Sequence, residues 1–279
     1  MALSLGLEIE AVAVRMLESP TALPLGQNDQ LSLITTIIER AGLPARVYAP
    51  STTRCSGPNY CIWNAPRVTV MEATSDSDTS ESAFQERFGF ELVSPAFPIG
   101  SASTGVDWAD NLRRCIAIGA EILWKSNRST GFHIHVGRGI SRSDNFTLEE
   151  VKKVAMLYCR FEATIDRFHP AHRRHDNDNI ESVRNNVLIR DSSLAHVYSM
   201  IQEADTIKRV NFTSLEKHGT IEFRQHEGTI DAEIIITWAR FVLKFVEVEQ
   251  ATAVSVSSFS SSCGMSAGLW GRTSSEYHS

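Results

Sequence analysis

Cysteine is scarce and unpatterned in this chain. Cys55, Cys61, Cys115, Cys159 and Cys263 are odd in number, scattered and without CxxC spacing. That makes a disulfide scaffold or zinc knuckle a weak reading and fits reduced thiols in a cytosolic protein. Long apolar runs are missing too. The opening MALSLGLEIEAVAV has no basic leader and carries Glu8 and Glu10 where a signal peptide would be uncharged, and no later run approaches a membrane span. Positive charge is also in deficit. A net charge of −6 and a pI near 5.9 argue against general nucleic-acid or anionic-membrane partners, so that any phosphate recognised here is expected to be a small one. No internal repeat is visible.

What is present is an ordinary globular composition over 279 residues, enough for one large domain or two small ones. Three segments alternate ionisable and apolar residues in the same unusual way: Leu5 to Val12 (LGLEIEAV), Gly131 to Gly137 (GFHIHVG) and Gly219 to Gly228 (GTIEFRQHEG). Each reads as a strand with one apolar and one ionisable face. A fourth, Phe88 to Pro95 (FGFELVSP), sets Glu91 between Phe90 and Leu92 and stops at a proline. Helical spacing covers Asp29 to Ala41, Val106 to Leu123, Thr147 to Phe168 and about Ala232 to Gln250. Thr147 and Glu150 stand in capping-box positions, and Asp231 is placed to cap the last helix. His169 to Asn186 (HPAHRRHDNDNIESVRNN) reads as a long loop, and from residue 251 the chain is Ser-rich without a period, a tail beyond a domain over 1–250. Strands and helices without strict alternation point to an α+β fold on an antiparallel or mixed sheet flanked by helices.

His133 and His135, two residues apart on a strand, look the same way. A hydrogen-bonded core pair and a metal site both account for this, and the other strands bear on the choice. If the four share a sheet, Glu8, Glu10, Glu91, His133, His135, Glu222 and Arg224 converge on one surface, where so many carboxylates repel without cations between them. A mostly carboxylate set with one or two imidazoles suits Mg²⁺ or Mn²⁺ better than Zn²⁺. Arg224, on the same face as Glu222, adds the fixed positive charge that phosphoryl transfer requires and metal-assisted hydrolysis does not. Arg209 in the KRVNF stretch, and Arg173, Arg174 and Arg184 in the long loop, are further candidates for bidentate phosphate contacts. Solvated surface charge is the alternative for the loop arginines.

The order GLEIE, FELVSP, TGFHIHVG, RVNF and GTIEFRQHEGT, spread over about residues 4 to 248, resembles the putative amidoligase family, carboxylate-amine ligases that look like glutamine synthetase. The resemblance implies an ATP-dependent ligase with a curved antiparallel sheet whose inner face holds two or three divalent ions between nucleotide and substrate. It implies Glu8, Glu10, Glu91, His133 and Glu222 as metal ligands, with Glu91, His135 and Arg224 in catalysis. Arg224, Arg209, Asn211, Arg173 and Arg174 are then the expected nucleotide contacts, ATP and Mg²⁺ (or Mn²⁺) the cofactors, and a small-molecule or peptide carboxylate and amine the partners, in the cytoplasm. His133 is expected on the metal and His135 nearer the nucleotide or the substrate carboxylate. His169 to Asn186 is expected to be a lid. One departure stands out: between Trp63 and Phe88, where the family places an Asp near the substrate, the sequence offers Asp76 and Asp78 in an unfamiliar context. A guanidino-type phosphotransferase on a similar sheet, a divalent-metal hydrolase and a nucleotide-binding protein without turnover are the rival readings.

Overall fold

A computed structural model of the chain describes residues 3–19, 22–48, 63–66, 85–100, 107–119, 123–139, 144–174, 180–183 and 209–251. In chain order its elements are β1 (Leu3–Met16), α1 (Gln27–Arg40), β2 (Ala45–Tyr48), β3 (Trp63–Pro66), β4 (Gln85–Val93), β5 (Phe97–Ile99) and α2 (Trp108–Gly119). Then follow β6 (Gly131–Gly137), α3 (Leu148–Ile165), β7 (Val210–Asn211), α4 (Ser214–His218), β8 (Thr220–Glu227) and α5 (Ala232–Ala251). The strands form one sheet of order β2-β3-β4-β1-β6-β8-β7, with β5 also paired to β1. Every pairing is antiparallel except that of β2 with β3. The fold is therefore α+β on a mixed, mainly antiparallel sheet. No helix among the described residues is long and apolar enough to cross a membrane.

Strict alternation makes β1 the spine. Leu3, Leu5, Leu7, Ile9, Ala11 and Ala13 are buried on one face, while Glu8 and Glu10 lie on the other. The small Ala11 and Ala13 stand opposite Phe90 and Phe88 of β4, so side-chain volumes alternate across the pair. From β6 and β8 come Phe132, Ile134, Val136, Ile221 and Phe223, and the resulting core is closed by Ile34 and Ile38 of α1, Leu112 of α2, Val151 and Val154 of α3, and Ala239 and Val242 of α5. Truncating a fully buried Leu or Ile of this core to Ala costs roughly 2–5 kcal/mol.

The expected helices are present, with ends decided by local chemistry. Thr147 caps α3 in a reciprocal box, its hydroxyl accepting Glu150 N–H while the Glu150 carboxylate accepts Thr147 N–H. Past Ile165 this helix tightens into a 3-10 turn over Asp166–Phe168. Asp231 Oδ1 accepts the N–H groups of Glu233 and Ile234 at the start of α5. Helix α2, expected over Val106 to Leu123, is described over Trp108–Gly119, and the Trp124 ring lies where a Cβ on Gly119 would be. Of the Ser-rich tail expected from residue 251, Ala251 still belongs to α5, and the remainder from 252, with Asp76, Asp78 and Arg184, lies outside the described residues.

One irregularity positions the site. Between β6 and β8, Phe132 pairs with His226 but Ile134 with Phe223, so two residues of β8, Arg224 and Gln225, stand against His133 alone. This β-bulge keeps Arg224 beside His133 and turns Gln225 and His226 toward the helices. Alternation by itself would have kept His226 on the ionisable face. Instead its ring packs against Phe132 and Trp238.

Candidate active site

Register converts three alternating strands and a lone glutamate into one cup. Glu10 stands opposite Glu91 across β1 and β4, Glu8 opposite His133 across β1 and β6, and His135 opposite Glu222 across β6 and β8. Directly opposed residues of antiparallel strands share a face, with Cβ atoms about 4.5–5.5 Å apart. The side chains therefore meet. Glu8 is central: its Oε2 is 3.1 Å from His133 Nδ1 and its Oε1 is 3.0 Å from His135 Nε2. Glu222 Oε1 lies 3.7 Å from His133 Nδ1 and 4.0 Å from His135 Nε2, and it accepts from Arg224 Nη1. Glu10 accepts the backbone N–H of Gly131 and its Oε1 is 3.9 Å from His133 Nε2.

So dense a set of carboxylates strains its own ionisation. Burial, with the charges of Glu8 and Glu10, pushes the Glu91 carboxyl well above the usual carboxylate range. Burial would raise Glu8 as well, but the charge of His135 and the contacts of both imidazoles hold it well below that range. For Glu222 burial is likewise outweighed, by His135 and Arg224, and its carboxyl is lowered. Burial would lower His135, yet Glu8 and Glu222 raise it to about 9. The upward shifts of Glu91 and His135 both mark an excess of negative charge in the cup. That is the electrostatic demand a divalent cation meets.

The residues fit such an ion on three grounds. Glu8, Glu91 and His133 bring ligand atoms within 4.8 Å of one another, and so do Glu8, His135 and Glu222. His135 Nε2, although close to Glu8, is buried without a hydrogen-bond partner among the described residues. Carboxylate-rich donor sets with one imidazole each suit Mg²⁺ or Mn²⁺. Both histidines enter a triad with Glu8, which departs from the expected division that gave the metal to His133 alone. Glu10 lies outside both triads.

Several expected nucleotide contacts are engaged by groups of the protein itself. Arg209 is buried beneath the sheet, donating to Glu162 at 2.7 Å, to Asp166 at 2.9 Å and to the Ile180 carbonyl. A buried guanidinium held by two carboxylates is not available to a phosphate. Arg173 is also buried. It donates to the carbonyls of Arg224, Gln225 and His226 at 2.8, 3.1 and 3.0 Å, so it clamps the bulge at the end of the cup, with its Nη2 3.3 Å from where a Cβ on Gly131 would stand. Arg174 donates to the His169 carbonyl. Residues 169–174 thus pack at the root of the bulge, while 175–179 and 184–186 of the expected lid lie outside the described residues. Asn211 donates to Glu222 Oε2 at 2.8 Å, which ties it to a candidate ligand.

Three residues of the site carried no sequence signal. Ser214 donates to Glu222 Oε2, Thr220 meets His135 Nδ1 at 2.9 Å, and the His218 ring stands edge-on to His135. All come from α4 and its exit, a five-residue helix closed by Gly219 in the left-handed conformation at φ 70°. Only that glycine could have hinted at it.

Among curated proteins no match was found. A family model described as "Putative amidoligase enzyme" matches residues 67–246, a span that contains Glu91, both histidines, Glu222 and Arg224. Glu8 and Glu10 precede the matched span and are joined to it by the pairing of β1 with β4 and β6. With well over half of its length matched, the chain belongs to the putative amidoligase family.

Proposed function

We propose that this protein is an ATP- and Mg²⁺-dependent carboxylate-amine ligase, whose domain over residues 1–250 works in the manner of the glutamine synthetase catalytic sheet in the cytoplasm. The observation that carries this is the meeting of Glu8, Glu91, His133, His135 and Glu222 with Arg224 on one face of the sheet of an amidoligase-family chain. In this reading the γ-phosphoryl group of ATP passes to a substrate carboxylate, giving an acylphosphate, and an amine then displaces phosphate to form the amide. Bound Mg²⁺ or Mn²⁺ would supply positive charge to the phosphates and hold them in line. Glu8, Glu91 and His133 would hold one ion, and Glu8, His135 and Glu222 a second. Arg224, anchored on Glu222, orients its guanidinium toward charge developing on the transferring group. No protein nucleophile is required, because the acid is activated by phosphate. Catalysis then rests on positioning and electrostatics.

The test is an untargeted screen of amines and carboxylates with ATP and Mg²⁺, reading phosphate release and the products by mass spectrometry. An amide formed in step with phosphate, and absent from Arg224→Ala, is the expected result. A phosphorylated product that persists would make the protein a phosphotransferase. Turnover without ATP would make it a hydrolase.

A further inference from the structure

We propose that Asn211 and Ser214 are positioning residues that restrict Glu222 to one metal-facing oxygen and so set the site's preference for a small six-coordinate ion over Ca²⁺. The inference rests on the metal-dependent reading given above. Glu222 Oε2 accepts from Asn211 Nδ2 at 2.8 Å and from Ser214 Oγ at 2.9 Å. Asn211 is itself locked, since its Oδ1 accepts from Thr213 N at 3.0 Å and from Thr213 Oγ1 at 2.7 Å. Flipping its amide would break all of these bonds at once. Only Oε1 of Glu222 is left toward the cup, where Arg224 and both imidazoles meet it. Opposite, Thr220 engages His135 Nδ1 and leaves Nε2 pointing at Glu8. Each group therefore offers a single ligand atom.

Denticity is where the two cations differ. Ca²⁺ takes six to eight oxygens at flexible geometry and commonly uses a carboxylate through both oxygens, whereas Mg²⁺ demands a tight octahedron. Ser214 and Glu222 are both buried. Swinging Glu222 to offer its second oxygen would leave two donors unsatisfied, the Ser214 hydroxyl away from water, a penalty that falls on Ca²⁺ and not on the smaller ion. Removing the clamp lifts that penalty and at the same time loosens the aim of Oε1.

Calorimetry on the full chain, with Mn²⁺ alone and Ca²⁺ alone and no nucleotide, tests this. In Asn211→Ala/Ser214→Ala the Mn²⁺ affinity should fall by about 10- to 100-fold. The Ca²⁺ affinity should fall less, narrowing the Mn²⁺/Ca²⁺ ratio by about 5-fold or more. Ser214→Thr keeps the hydroxyl and should keep the wild-type ratio. If the double variant melts early without metal, Ser214→Ala carries the comparison. Parallel losses for the two ions, or an unchanged ratio, overturn the inference while leaving the metal site standing. Glu222→Gln separates the two levels: wild-type Mn²⁺ binding in that variant would sink the metal reading, and the clamp with it.

Discussion

A methyl group at Gly131 would lie 2.9 Å from His133 Nε2, 3.2 Å from Glu10 Oε2 and 3.3 Å from Arg173 Nη2. The first glycine of GFHIHVG is therefore part of the cup, and its missing side chain is the room in which an imidazole, a carboxylate and a guanidinium approach one another. At this scale the functional unit is a space as much as a set of groups. Gly131→Ala should turn the His133 ring away and displace Glu10 from the Gly131 N–H. We expect Mn²⁺ binding to weaken by at least about 10-fold in calorimetry, as for loss of a supporting contact to a metal ligand, with the far-ultraviolet spectrum unchanged. Unaltered Mn²⁺ binding in that variant would remove His133 from the ligand set.

The element that decides the chemistry is β8, and its decisive feature is the bulge. Arg224 faces the cup because Gln225 and His226 turn to the other side, and they are held there by side chains beneath. Gln225 donates to Asp166 and accepts from the Tyr158 hydroxyl, and Arg173 donates to three successive carbonyls. Arg173→Ala would take the guanidinium donor away from all three carbonyls at once. The expected loss is about 2–4 kcal/mol in urea unfolding, with kcat falling at least about 10-fold as Arg224 loses its aim. A lid arginine would behave otherwise, raising KM and leaving stability untouched. That pattern would return Arg173 to the phosphate.

For the whole molecule, the junction of β8, α5 and the 3-10 turns ties folding to pH. His169 is buried against His226 and Trp238, and both its ring nitrogens are without hydrogen-bond partners among the described residues. Burial, with the charges of His226, Arg173, Arg209 and Arg174, lowers its pKa from 6.5 to about 3. Between those two values the unfolded chain binds more protons than the folded one, so stability is complete above about 6.5 and declines as pH falls toward 3. By pH 5 this group alone should cost about 2 kcal/mol. His169→Gln cannot titrate, so its stability should depend less on pH between 6.5 and 4.5 in denaturant unfolding. Equal acid sensitivity in wild type and variant would place the proton elsewhere.

Much of this was legible in the sequence because period and burial are local properties. Alternation in Leu5 to Val12 and Gly131 to Gly137 is enough to say which residues share a face, and the family resemblance named a chemistry for that face. The capping box at Thr147 and Glu150 is a contact between neighbours in sequence, and it was readable for the same reason. What only the tertiary structure decided is what lies across from what. Glu8 meets both histidines through the register of β1 with β6, and β8 contains one residue more than its partner there, which no one-dimensional pattern records. Arg209 and Arg173 looked like phosphate ligands because a guanidinium in sequence carries no mark of its surroundings. Folding put Glu162 and Asp166 beside the first and three backbone carbonyls beside the second. A charge acquires its role from the groups that desolvate it and answer it, and those arrive from elements distant in the chain.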